Sequence, residues 1–255
     1  TNLGWWAGAE GALFVSANGG QDWAAQATPT NLDLYGLAFF DDQKGWAVGA
    51  AGTILQTTNG GNNWTQVLGA TVGLGNNDLA ADIELAANGD LYATLGIYST
   101  GSVWKSSFTI NGINTGAAGT WTNISPPGNY RRTEIATAPS NPDIVYVICQ
   151  SSNSGNVDFF YQSVNGGMTW NSKTLAAWGN QTWYNLILAV DPNNPNRIHA
   201  GGTPTFISND GGNSWKSISG NLPERGSVFY LKQDHINKDL LFAGTEFGVY
   251  FSIDG

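Results

Sequence analysis

Ser163-Val164-Asn165-Gly166-Gly167-Met168-Thr169-Trp170 is the stretch whose reading decides the fold. The same pattern, Ser/Thr-x-Asn/Asp-Gly-Gly-x-x-Trp, recurs in full from Ser16 to Trp23, from Thr57 to Trp64 and from Ser208 to Trp215. Ser252-Ile253-Asp254-Gly255 starts it again, and a broken copy is expected between Ser106 and Trp121, its halves separated by an insertion rich in Gly, Asn and Thr. Each residue type has a physical task. The Asn or Asp side chain can bond a backbone N–H two residues on and close a turn. The glycines supply positive φ, and the Ser or Thr hydroxyl adds a further local bond. The Trp opens the next strand and covers the turn with a large apolar face.

The octets begin at residues 16, 57, 106, 163, 208 and 252, in steps of 41, 49, 57, 45 and 44. That period suits one four-stranded blade of roughly 40–50 residues. Upstream of the octets lie paired apolar segments around a Gly-containing connection, such as Gly45-Trp46-Ala47-Val48-Gly49 before Thr53-Ile54-Leu55-Gln56. These read as hairpins. Earlier still come more continuous apolar runs, Leu34 to Phe40 and Leu186 to Val190, which suit inner strands buried between neighbouring blades.

The expected fold class is therefore all-β, a β-propeller of four-stranded antiparallel blades, about six in this chain. With strands numbered one to four outward, each octet joins strands three and four. The expected organisation is a single propeller over 1–255, with blades at 1–30, 31–72, 73–127, 128–184, 185–226 and 227–255. The first and last of these read as incomplete, and the chain as a segment of a longer one.

Composition narrows the function. Charged residues are 11% of the chain, against roughly 25% in an ordinary globular domain. Gly reaches 34 copies and Trp 11, as expected of many short strands and tight turns. A formal net charge of −9 with ten Lys and Arg argues against a nucleic-acid partner, which needs a basic face. No run approaches the ~18 apolar residues of a membrane span, so no direct membrane insertion is expected. Cys149 is the single cysteine, inside the apolar run Ile144 to Cys149, and reads as a buried structural thiol.

The octets at this spacing resemble the Asp-box repeat propellers, a group that includes sialidases, sortilin-like receptors, photosystem II assembly propellers and xyloglucan-cleaving two-propeller hydrolases. Gly45 to Gly49 with Gly52-Thr53-Ile54-Leu55 is most similar to the photosystem-assembly type. Gly244 to Tyr250 with Ser252 to Gly255 looks more like large secreted bacterial proteins of the sortilin-like group. The resemblance implies that the octet is a structural turn away from the ligand face, so Asn18, Asn59, Asn165, Asp210 and Asp254 are not candidate site residues. It specifies the fold and leaves the activity open.

Catalytic readings find little support. A sialidase would need three converging arginines, a Tyr–Glu pair and an acidic Asp. The arginines here are Arg131, Arg132, Arg197 and Arg225, and Arg197 falls on the octet side. A glycoside hydrolase needs two carboxylates at a fixed separation. Glu10, Asp78, Asp158, Glu224 and Glu246 all map to the face of strand two–three and blade-to-blade loops, where sequence pairs none of them. His199 and His235 lack metal-ligand spacing, and no phosphate loop or other cofactor motif is present. Asn63, Asn123 and Asn180 head glycosylation sequons, which arise easily in an Asn-rich chain.

The loop Trp178-Gly179-Asn180-Gln181-Thr182-Trp183-Tyr184 leads from one blade to the next, where aromatics could stack on sugars or anchor a partner side chain. Packing of Trp183 and Tyr184 between blades is the structural alternative. Tyr130-Arg131-Arg132 and Pro223-Glu224-Arg225 occupy equivalent connections. The candidate ligand-binding residues are thus Tyr130, Arg131, Arg132, Trp178, Trp183, Tyr184, Glu224, Arg225 and Glu246. The expected role is a non-catalytic interaction module, secreted, periplasmic or on a cell surface, binding a protein or glycan and needing no cofactor or metal. Alternatives are a carbohydrate-active enzyme domain of the two-propeller type and an architectural part of a large surface protein.

Overall fold

A computed structural model describes residues 2–68, 79–176, 182–202, 204–220, 222, 226–234, 236–237 and 239–253; of the Trp183 side chain nothing is described. The chain divides into two compact units, Thr1–Asn123 and Ile124–Gly255. Each carries three small antiparallel sheets, and the fold class is a β-propeller of six blades.

In the first unit, blade one is β1 (Gly4–Ala7), β2 (Leu13–Ser16) and β3 (Ala24–Gln26). Blade two is β4 (Leu34–Phe39), β5 (Gly45–Gly49), β6 (Ile54–Thr57) and β7 (Thr65–Leu68). Blade three is β8 (Ala80–Leu85), β9 (Leu91–Leu95), β10 (Ser102–Ser106) and β11 (Thr122–Asn123), with a short helix α1 (Phe108–Asn111) before its last strand. In the second unit, blade four is β12 (Tyr130–Thr137), β13 (Val145–Ser151), β14 (Val157–Ser163) and β15 (Asn171–Ser172). A helical turn α2 (Thr182–Asn185) leads to blade five: β16 (Ile187–Asp191), β17 (Asn194–Gly201), β18 (Thr205–Ser208) and β19 (Lys216–Ser217). Blade six is β20 (Val228–Gln233), β21 (Leu241–Thr245) and β22 (Gly248–Ser252). Every sheet is a meander, each strand pairing with the next in sequence.

The octet is built around its hydroxyl. In blade four, Ser163 Oγ accepts the N–H groups of Asn165 (3.2 Å) and Gly167 (2.8 Å) and donates to Asn165 Oδ1 (2.9 Å). The Asn165 side-chain Oδ1 then accepts the N–H of Thr169, four residues on. Ser16, Thr57 and Ser208 repeat the arrangement, with Gly N–H distances of 2.8, 2.9 and 2.8 Å. The Asn or Asp thus spans four residues and not two, and the two-residue bond belongs to the hydroxyl. Both glycines take positive φ, 63° and 89° at Gly166 and Gly167. A Cβ on Gly167 would also strike Ile124, and one on Gly212 would strike Phe160, so these positions lack room as well as freedom.

The broken copy keeps the same centre. Ser106 Oγ accepts the N–H of Gly116 at 2.8 Å, ten residues on instead of four. The inserted segment is seated on blade two. Lys44 Nζ donates to the Ile113 carbonyl, Gln56 to the Thr115 carbonyl at 3.1 Å, and Gly116 lies too close to the Trp46 indole to admit a Cβ. Asp90 holds its start, accepting Phe108 N–H at 2.7 Å while paired with Lys105 at 2.7 Å. Burial opposes ionisation of Asp90, but the Lys105 and Phe108 hydrogen bonds and the Lys105 charge hold its pKa below the ordinary value.

Within each unit the first strands pack on one another, β4 on β8, then β12 on β16 and β16 on β20, while β1, a second strand by its place before the octet, packs on β4. The deepest burial, however, lies one strand further out. All residues of β5, β9 and β13 are buried, whereas β4 is mostly half-exposed beyond Leu34. A second strand has paired strands on both edges, whereas a first strand is paired on one edge only. Cys149 sits at the centre of β13, its thiol pushed up to about 12 by burial.

His199 on β17 is fully buried, with Nε2 3.3 Å from Gln233 Oε1, and Gln233 in turn donates to Asp191 at 2.7 Å. Burial lowers the imidazole pKa to about 4, and the nearby Arg197 charge adds to this. As pH falls from about 6.5 to about 4, the unfolded chain takes up a proton that the folded one refuses. Stability from this residue is complete above that window and lost through it, about 3.5 kcal/mol at most at roughly 1.4 kcal/mol per pKa unit. Urea titrations at pH 7 and 4.5 should show a steeper acid loss for the parent than for His199→Gln; equal slopes would contradict the assignment. Ser163→Ala should cost about 2 kcal/mol in the same titration by stranding two N–H groups, while Ser163→Thr, the residue found at Thr57, should cost less than half of that.

Candidate functional site

Alternate reversals of a meander collect at opposite ends of each sheet, and backbone hydrogen bonds tie each collection together. At one end the first octet glycine donates to the strand one–two corner: Gly60 to Gln43, Gly166 to Asp143 and Gly211 to Asn196. At the other end the strand two–three loops meet the blade-to-blade connections: Ala50 donates to Asp33, Gly96 to Leu79, Ser152 to Asn129 and Glu246 to Ser227. The first end is filled by turns satisfied within themselves. The second carries the candidate residues.

Four first strands begin with a β-bulge at this end. The register slips between Leu34 and Gly36, Ala80 and Asp82, Tyr130 and Thr133, and Val228 and Tyr230. A bulge leaves a residue unpaired and re-aims its side chain. The residues so released are Tyr35, Ala81, Arg131 with Arg132, and Phe229. Sequence reasoning reached the arginines through their loop position but missed Tyr35 and Phe229. In the sequence they look like ordinary members of apolar runs, and only strand pairing exposes the slip.

In the second unit these residues form a connected rim. Arg132 binds Glu134 through Nε (3.0 Å) and Nη2 (2.6 Å) and reaches the carbonyls of Tyr184 and Leu186, both at 3.4 Å. It is a strut between blades four and five. Tyr184, 49% exposed, meets the ring of Phe229, 39% exposed, edge-on at 5.1 Å and 86°. The chain beneath them is fixed. Asn185 Nδ2 donates to Ser227 Oγ at 3.2 Å, and Gly202 lies too close to the Asn185 carbonyl for any side chain. Arg131 is exposed beside this strut, and Glu246 is exposed on the two–three loop of blade six.

Tyr130 is placed differently from a ligand contact. Its ring is buried against Phe159, its hydroxyl donates to the Pro126 carbonyl at 3.0 Å, and burial raises its pKa. It fixes the start of β12 from below. Trp178, Glu224 and Arg225 lie outside the described residues, and Trp183 falls in α2 without a described side chain. Of the other carboxylates, Glu10 and Asp158 are exposed in blades one and four, and Asp78 is outside the described set. Glu10 sits at φ 57° with its N–H on Asp33 Oδ1 at 2.9 Å. Ala51 takes the matching position in blade two at φ 52°. Among the described residues no group of His, Cys, Asp and Glu is arranged to hold a metal ion, and no helix is long and apolar enough to cross a membrane.

Comparison with known proteins agrees with the architecture. The family model described as "Photosynthesis system II assembly factor YCF48" matches residues 1–57. Among solved structures, "YCF48 bound to D1 peptide" superposes with a TM-score of 0.65 at 16% identity, over 98% of this chain and 74% of that one. YCF48 from Cyanidioschyzon merolae gives 0.67 at 16% identity, over 98% and 77%. The GH74 enzyme of Niastella koreensis gives 0.64 at 19%, over 99% of this chain and 47% of its own, so the chain spans about half of that enzyme. No curated protein sequence matches the chain. At these identities the likeness is one of fold. That fold is a β-propeller, and the BNR-type family model matches its first 57 residues.

Three substitutions separate the roles of residues at this end of the blades. Ala51→Gly removes a left-handed alanine and should stabilise the chain by about 1 kcal/mol, read as a higher urea midpoint. Arg132→Ala should instead destabilise it and speed amide exchange at Tyr184 and Asn185, whereas Arg131→Ala should leave both unchanged. Equal effects of the two arginine variants would contradict the strut.

Proposed function

We propose that this propeller is a non-catalytic interaction module whose two–three-loop face binds an extended segment of a protein partner. The carrying observation is the bulged rim of the second unit, which turns Phe229 outward against Tyr184 and leaves Arg131 exposed beside a strut that fixes both blades. Half-exposed aromatics on an immobilised backbone lose little entropy on binding, and a neighbouring guanidinium adds directional hydrogen bonds. An apolar side chain followed by a carboxylate or carbonyl is the chemistry that such a rim accepts. A similar fold binding a D1 peptide supports a protein partner for this one. We also propose that the protein is extracellular, on a cell surface or periplasmic, on the resemblance of its last repeat to large secreted proteins; cell fractionation tests this directly.

A second reading is a carbohydrate-active domain, favoured by the fold likeness to GH74 enzymes and by the exposed Tyr35, Tyr98 and Glu10 on the same end of the first unit's blades. Panning a displayed random-peptide library, with xyloglucan oligosaccharides titrated in parallel, separates the two. The first reading expects peptide ligands that lose at least tenfold affinity on Phe229→Ala or Arg131→Ala, and no turnover of the sugar. Peptides indifferent to both substitutions would overturn it, and sugar hydrolysis abolished by Glu246→Gln would establish the second.

A further inference from the structure

The broken octet of blade three differs from the others in what it shows to solvent. The intact octets of the first unit place Gln21-Asp22 and Asn62-Asn63 between the second glycine and the Trp. The segment after Ser106 instead carries Phe108, exposed at the start of α1, with Ile110 83% and Ile113 77% exposed. Phe40, at the strand one–two corner of blade two, joins them: its exposed ring stacks on Phe108 at 6.0 Å and 21°. A single exposed apolar residue needs no explanation, but a contiguous group on one surface marks an interaction site.

This group is held in place from beneath. Asp90 accepts the Phe108 N–H, Lys44 donates to the Ile113 carbonyl, and Gly116 closes the segment on Ser106. An apolar surface already fixed loses little entropy when a partner covers it. Charge then says what covers it. Residues 1–123 hold nine Asp and Glu against two lysines and no arginine. Lys105 is paired with Asp90, and Lys44 is buried with its ammonium 5.1 Å above the Trp46 ring, so both cations are committed within the unit. Beside Phe40 stand the exposed carboxylates of Asp41 and Asp42.

We propose that Phe40, Phe108, Ile110 and Ile113 dock a basic amphipathic helix of a partner protein, with its Lys or Arg residues toward Asp41 and Asp42. The helical form follows from the backbone of the patch. Asn111 donates its N–H to Ser107, Thr115 to Gly112 and Ala117 to Asn114, so an incoming chain meets turns there and not a strand edge. It must satisfy its own N–H and carbonyl groups, and a helix does that while setting apolar side chains at i, i+3, i+4 and i+7. The same carboxylates disfavour an anionic lipid surface. This site is at the octet end of blades two and three and the rim at the loop end of blades four to six, so one can fail without the other.

The probe is a designed helix of about four turns, with leucines at i, i+3, i+4 and i+7 and lysines elsewhere, titrated calorimetrically into the full chain. One site per chain is expected, weakened about tenfold by Ile110→Ser combined with Ile113→Ser, whose exposed side chains can change without disturbing the core. Asp41→Asn combined with Asp42→Asn should weaken binding about threefold at low salt, and the difference should vanish at about 0.5 M salt. Asp41→Asn keeps an acceptor for the Gln43 and Lys44 N–H groups. On the unmodified chain the helix should shift the amide resonances of Phe108 to Asn114 and leave those of Tyr184 and Phe229 in place. Absence of binding, equal binding of a helix with Glu in place of Lys, or indifference to the isoleucine substitutions would overturn the proposal. So would phosphatidylcholine vesicles that compete with the helix, or a dimer of the chain that Ile110→Ser dissociates.

Discussion

A buried hydroxyl stands at the head of the octet in blades one to five, and the outer part of each of those blades is organised around it. It accepts two backbone N–H groups and donates one bond, so its full hydrogen-bonding capacity is used within a single turn. Such a turn needs no partner from elsewhere, which lets it recur in blades whose sequences otherwise differ. The first glycine of the octet spends its N–H on the strand one–two corner, so the two reversals at that end brace one another. With one end of each sheet closed by its own chemistry, the loops at the other end can vary. Satisfied backbone at one end and variable side chains at the other is the division that makes a propeller a carrier of binding sites.

The turn chemistry was legible because it depends on residue types at fixed offsets. Even the copy interrupted between Ser106 and Trp121 could be expected, although not its closure: Gly116 recovers the bond to Ser106 across an insertion, and nothing local to Gly116 marks it as the replacement glycine. The span of the Asn side chain was less legible, since an Asx turn and the observed four-residue bond call for the same residue. Burial was misplaced by one strand. Leu34 to Phe40 is the more apolar run, yet Gly45 to Gly49 is the buried one, because strand pairing on both edges matters more than side-chain hydrophobicity.

The rim was half legible. Arg131, Arg132 and Tyr184 stand out as polar or aromatic residues in connections, but which of them binds and which braces depends on contacts between blades. Arg132 is committed to Glu134 and two carbonyls, and Tyr130 to the core, whereas Arg131 is exposed. Phe229 became visible only through the bulge in β20. Bulges leave the hydrophobic pattern almost unchanged over so short a strand, and that is why the pattern could not announce them.

The hydroxyl-centred turn is the claim on which blade count, face assignment and both binding proposals rest. Amide hydrogen exchange, followed residue by residue by NMR, tests it most directly. The account predicts that Gly20, Gly61, Gly116, Gly167 and Gly212 exchange slowly and as one class, despite lying in surface turns. Gly116 exchanging at the rate of an open loop, while the other four stay protected, would contradict it.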